Sequence, residues 1–346
     1  MSSITTRDGR AAGSRLRRLT FVPITVIIFL AAYAAVSPSS FGQTHGRKLI
    51  VTAAGTRLRE RPETAAAEVG RLQLGAVLDE LERSAEKSRV GAAEEFWHLV
   101  NAPGGARGWV FGALVSPFEP ALRDALYQKL ARERLANTSA TFADLSELVR
   151  FLDRATREVR RRDALAELEL ARVLALARSL AAMPFEELSK EPYKSWTEER
   201  AKEIVYSEPA GLWYVNSELF WALQRKYRGL PVAERAAWEA ARTPLPGECE
   251  GYLPCYLYLE METNGKYLKL YPRGPRADAA LAEMAELLGH INEAAREKNN
   301  PYTVPPDDKA NFRKSLAALR AQLAAVPAAK KARVLGLLDA VARRFR

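Results

Sequence analysis

The sequence predicts an α+β multidomain chain: a small all-β barrel followed by an irregular all-α helical domain. Three observations predict it. Between residues 48 and 118 apolar side chains alternate with period two, in short runs punctuated by Gly and Pro. From Glu119 onward the period becomes 3.6, beginning with Leu122, Leu126 and Leu130 on one face. Behind a hydrophobic N-terminal run about 300 residues remain, enough for two domains.

That run comes first in the chain. Arg7, Arg10, Arg15, Arg17 and Arg18 precede 18 residues from Leu19 to Val36, a basic region followed by an apolar one. Ala32-Tyr33-Ala34 offers a small-x-small cleavage site. The run is long for a signal peptide and short of the roughly 20 apolar residues of a full span. Residues 1–43 are therefore expected to be either a cleaved signal or a signal anchor with its linker. In both cases the arginines stay in the cytoplasm and the chain beyond Ser37 is exported to the periplasm or cell envelope.

The barrel segment is built from Leu72-x-Leu74 and Val77-x-Asp79-x-Leu81 around Gly75, then Trp97-x-Leu99, a turn at Asn101-Ala102-Pro103-Gly104-Gly105, and Gly108-Trp109-Val110-Phe111. Five separated strings carry a resemblance: Leu58-Arg59-Glu60-Arg61-Pro62, Val69-Gly70-Arg71-Leu72, Leu74-Gly75-Ala76-Val77-Leu78, Phe96-Trp97-His98-Leu99-Val100 and Gly108-Trp109-Val110. Over residues 48–118 the chain resembles the bacterial SH3-like (SH3b) family. That resemblance implies a cell-envelope protein whose barrel binds wall components or other proteins. Two departures stand out. Arg83 through Glu95 form a long charged hairpin tip, and the segment Leu58–Pro62 lacks the family's usual Asn and Gly. Phe96, Trp97, His98 and Trp109 are the binding candidates. Trp109 is expected to fill the core, since a barrel this small needs large side chains to close, whereas Trp97 fits core or groove floor equally.

In the helical part, Asn137-Thr138-Ser139 breaks the first helix, and Thr141 with Asp144 forms a capping box with the shorter acid. One long helical stretch is expected from Leu145 to Ala177, ended by Pro184. Further helices are expected near 197–206, 213–228, 231–242, 277–297, 307–325 and 330–345, with no fixed repeat. Arg150, Arg154, Arg157 and Arg161 would share one helix face; such a stripe binds polyanions or is simply solvated. The segment 206–274 is dense in aromatics, and their helical spacing favours a packed core over a stacking cleft. A helical domain of this kind beside such barrels names no activity.

Charge excludes one function class. Residues 1–18 carry +4 and residues 330–346 carry +5 of the net +10, so the body between sums to +1. A nucleic-acid binder needs a basic face on its folded body, and none is expected here. Within residues 48–118 nine basic and nine acidic residues balance. Cys249 and Cys255 lie six positions apart and are expected to form a disulfide in an oxidising compartment, in preference to free thiols or a metal site. The rival function is a peptidoglycan glycan hydrolase, with Glu208, Glu248 and Glu250 as the candidate carboxyls. Phosphate-loop, dinucleotide and zinc-ligand signatures are absent from a chain with three histidines, so no cofactor is expected. The reading that results is non-catalytic: a barrel that binds wall peptide or an envelope protein, with a helical scaffold. The inner membrane is a further partner if the N-terminal segment is uncleaved.

Overall fold

Short β-rich runs and tight turns give the N-terminal part its strands in the computed structural model, which describes residues 46–345. The expected signal or anchor, with its run Leu19–Val36, lies outside the described residues. Among those described, no helix is long and apolar enough to cross a membrane. The strands are β1 Lys48–Val51, β2 Thr56–Arg59, β3 Glu68–Leu72, β4 Val77–Arg83, β5 Ser88–Val90, β6 Ala93–Glu95, β7 Trp97–Asn101, β8 Arg107–Phe111 and β9 Val115–Pro117. Seven form one antiparallel sheet in the order β3-β2-β8-β7-β4-β1-β9, and β5 with β6 makes the separate hairpin expected at the charged tip.

The sheet stays open. Its edges are β3 and β9, and no pairing joins them among the described residues, so the closed barrel expected from the sequence is not seen. One reason is local: β9 has three residues and ends in Pro117, which has no N–H to extend a ladder. One face of the sheet buries its own small core of Leu58, Leu78, Val100 and Val110. Ile50 and Leu74, by contrast, are buried in the helical core. Sheet and helices accordingly form a single compact unit.

Helix α1 runs Arg123–Ala136, α2 Phe142–Glu158 and α3 Arg162–Ala181. The capping box stands as expected: Thr141 Oγ1 accepts from the Asp144 N–H (3.3 Å), and Asp144 accepts from the Thr141 N–H (2.9 Å). The single long helix does not. Val159, Arg160 and Arg161 leave helical geometry and turn the chain, so α2 and α3 pack on each other as a helical pair. Arg161 sits at the N-cap of α3, paired with Asp163, and leaves the face it was expected to share with Arg150, Arg154 and Arg157.

Beyond Pro184 the elements are α4 Tyr193–Glu199, β10 Ile204–Ser207, β11 Leu212–Val215, α5 Glu218–Lys226 and α6 Pro231–Arg242. Here the expectation of helices over 197–206 and 213–228 is corrected. Ile204–Ser207 and Leu212–Val215 pair as a hairpin, stacking Tyr206 against Trp213 at 5.1 Å. Next come α7 Leu253–Glu260, a π-helical turn Met261–Gly265, α8 Lys266–Leu270, α9 Ala277–Ala294, α10 Lys309–Gln322 and α11 Ala328–Arg344. The basic C-terminal stretch is thus a helix, docked through Val334, Leu338 and Val341. Phe220, Trp221, Tyr227, Trp238 and Tyr267 are buried in the helical core, in line with the core reading of the aromatic segment.

Candidate functional site

Strand pairing decides which side chains can meet a ligand. On β7 and β8, Trp97 stands opposite Phe111, His98 opposite Val110 and Leu99 opposite Trp109. With period two, Val110 and Val100 face the sheet core on the same side as His98. Trp97, Leu99, Trp109 and Phe111 therefore share the other face. Trp109 is half-buried there, flanked by Arg59 on β2, which corrects the expectation that it fills the core.

At one end of that outer face lies a groove of about 360 Å³. Trp97 and Phe111 form its floor, their rings 5.4 Å apart. The β5–β6 hairpin supplies one wall through Val90 and Ala93, and Arg57, Arg59 and Thr64 supply the other. Every lining residue belongs to the sheet part; none comes from a helix of the second part. Trp97 is 2 % exposed, covered by its neighbours, and its indole N–H finds no acceptor among the described residues. Arg59 donates to the Ala66 carbonyl (2.9 Å) and Arg57 pairs with Glu68 (3.3 Å), so both guanidiniums are held at the wall.

The remaining binding candidates lie off this groove. His98 is 9 % exposed, and its Nδ1 meets a Glu80 carboxylate oxygen at 2.6 Å. Phe96 anchors the base of the hairpin tip beneath Arg83, whose guanidinium carbon lies 4.4 Å from the ring centroid. Of the four, only Trp97 lines the groove. Phe111 and the hairpin residues Val90 and Ala93 were missed. Phe111 had a signal in the sequence, since it falls two residues after Trp109 on the same strand face.

Cys249 and Cys255 are disulfide-bonded, with Cα atoms 5.4 Å apart. Their loop is held against the segment after Pro301: the Thr303 N–H donates to Gly251 (2.8 Å) and the Leu253 N–H to Thr303 (3.0 Å). Glu248 and Glu250 are exposed on this loop, whereas Glu208 is exposed at the turn between β10 and β11. The three carboxylates thus lie on two separate loops, and none lines the groove or the aromatic cleft nearby. That cleft, about 380 Å³ beside Trp213 and Tyr214, contains Glu239, a residue missed in the sequence. Burial pushes its carboxyl above the ordinary value, against the pull of Arg242 and Arg276. Glu239 is the one carboxylate lining the cleft, and the paired-carboxyl geometry of a glycan hydrolase is not present there. Among the described residues no cluster of His, Cys, Asp and Glu is suited to a metal ion.

A scan against protein-family models gives no match, and searches of curated proteins and of solved structures find none either.

Proposed function

We propose that this chain is an exported cell-envelope protein that binds an extended peptide, from the wall or from a protein partner, without catalysing a reaction. The groove beside Trp97 is the binding site, and the helical part is its scaffold. The observation that carries this reading is a concave, aromatic-floored groove left uncovered by the helices. Its lining combines apolar side chains with the Arg57 and Arg59 guanidiniums, surface that an extended peptide can meet. The SH3-like reading belongs to the same proposal. It is supported by the β2–β3 hairpin between β1 and β4, the β4-β7-β8 meander, and the 3-10 turn Gly112–Leu114 leading into β9. Export is supported by the Cys249–Cys255 bond, which fits an oxidising compartment.

The test is retention on purified peptidoglycan by wild type and by two groove-blocking variants, Ala93→Arg and Ala113→Arg. Retention of wild type with loss in both variants is expected. Equal retention of all three would remove the groove from the account. Failure of all three to bind would shift the ligand from wall peptide to a protein partner.

A further inference from the structure

The cleft beside Trp213 and Tyr214 contains charges that the fold leaves unpaired. Its walls come from α3, β11, α5 and α6. Leu174, Ala177 and Trp213 pack on the helical core yet stay partly exposed, so apolar surface remains open in the cleft. At about 380 Å³ it lies at the small end of the roughly 300–1,000 Å³ range of small-molecule sites. We infer that this cleft binds a small zwitterion with an apolar body, the chemistry of a free α-amino acid with an apolar side chain. The inference is independent of the groove beside Trp97.

Two side chains of α6 supply the charges. Glu239 and Arg242 lie three residues apart on one helix face, and both line the cleft. The Glu239 carboxylate is half-buried and receives no hydrogen bond or ion pair among the described residues. The neighbouring hydroxyl does not supply one, since Thr243 donates to the Glu239 backbone carbonyl instead (2.8 Å). The Arg242 guanidinium is exposed, forms no ion pair among the described residues, and lies 5.7 Å from the Trp238 ring centroid. Arg276, which precedes α9, acts on the Glu239 carboxyl from outside the cleft lining.

Charge decides the class of ligand. A lone ammonium would be drawn to Glu239 but repelled by Arg242 and Arg276, and a lone carboxylate would meet the opposite conflict. A molecule that carries both groups satisfies each. Its ammonium donates to Glu239 and its carboxylate accepts from Arg242, in charge-assisted bonds. Burial favours the neutral form of the Glu239 carboxyl, and an ammonium beside it restores the ion. The apolar body of the ligand then replaces water against Leu174, Ala177 and Trp213.

The probe is free L-phenylalanine, titrated into the full chain by calorimetry beside three controls that each lack one feature. Phenethylamine lacks the carboxylate, hydrocinnamate the ammonium, and glycine the apolar body. Binding of phenylalanine is expected, with each control at least tenfold weaker. Glu239→Gln is expected to lower affinity tenfold or more. Arg242→Gln, at an exposed position, is expected to lower it severalfold and serves if the first variant misfolds. Ala93→Arg, in the groove beside Trp97, should leave this binding unchanged. No binding of phenylalanine, a control that binds as tightly, unchanged affinity in both α6 variants, or loss in Ala93→Arg would each overturn the inference.

Discussion

The sheet presents two concavities that differ in how they are built. The seam where the sheet meets α1 and α2, two clefts of about 580 and 720 Å³ that share Arg71, Leu72, Gln73 and Arg154, is clamped by one helix. On α2, Glu147 holds the Leu74 N–H, Arg154 holds the Leu74 carbonyl, and Phe151 packs against Gly75 between them. The groove is lined by strands, hairpins and the 3-10 turn Gly112–Leu114, its floor is a pair of rings on adjacent strands, and of its lining residues Gly55 is tied to α2 through Glu147. Substitutions at the groove rim should therefore cost less stability than substitutions at the turn that α2 clamps.

Substitution at equivalent turn positions sharpens that contrast most. Gly75 adopts φ +78°, and a Cβ there would overlap the Phe151 ring; Gly91, at the tip of the β5–β6 hairpin, has φ +59° with open space around it. Gly75→Ala is expected to cost about 3 kcal/mol or more in chemical denaturation, from a strained backbone and overpacking together. Gly91→Ala is expected to cost about 1 kcal/mol, from the left-handed backbone alone. Equal costs would mean that α2 does not clamp the turn.

The helical part carries a pH sensitivity of its own. Burial lifts the Glu260 carboxyl to about 7, with nearby Glu283 adding to the rise and Asn264 opposing it. The folded state therefore holds a proton that the unfolded chain releases near its ordinary value. Its contribution is fully present below about pH 4.5 and is lost as pH rises through about 7. Roughly 3 kcal/mol of stability should fade across that window, measured by denaturation at several pH values. Glu260→Gln should flatten the profile; an unchanged slope in that variant would assign the effect elsewhere.

A smaller effect is expected at the clamp itself. Glu147→Ala leaves the Leu74 and Gly55 N–H groups without their carboxylate, an expected loss of about 2 kcal/mol. The smallest belongs to the groove: Ala113→Arg, at an exposed position, should shift stability by less than about 0.5 kcal/mol. A large loss there would show that the groove is structural.

Much of the fold was legible because its signals are local. Period-two alternation and Gly or Pro turns located the strands, and the spacing of Cys249 and Cys255 located the disulfide. The break between α2 and α3 was not legible, because Val159-Arg160-Arg161 contains neither Gly nor Pro. The hairpin Ile204–Ser207 with Leu212–Val215 was readable in principle from β-branched and aromatic residues flanking Glu208-Pro209-Ala210-Gly211, but the surrounding helical period obscured it. Trp97 and Trp109 share a face, so alternation does not separate them; what buries Trp97 is its own neighbourhood beside the β5–β6 hairpin. The seam was out of reach of local reading, since Arg154 meets Leu74 across 80 residues of chain.

On the proposed reading the groove beside Trp97 is the recognition surface. The most direct measurement is the Trp97 indole N–H resonance during titration with a soluble peptidoglycan stem peptide. A saturable shift of that resonance, together with the Val90 and Ala93 amides, is the expected result, lost in Ala113→Arg. Binding that leaves these resonances unmoved while shifting Gly75 and Arg154 would contradict the claim and place recognition at the seam.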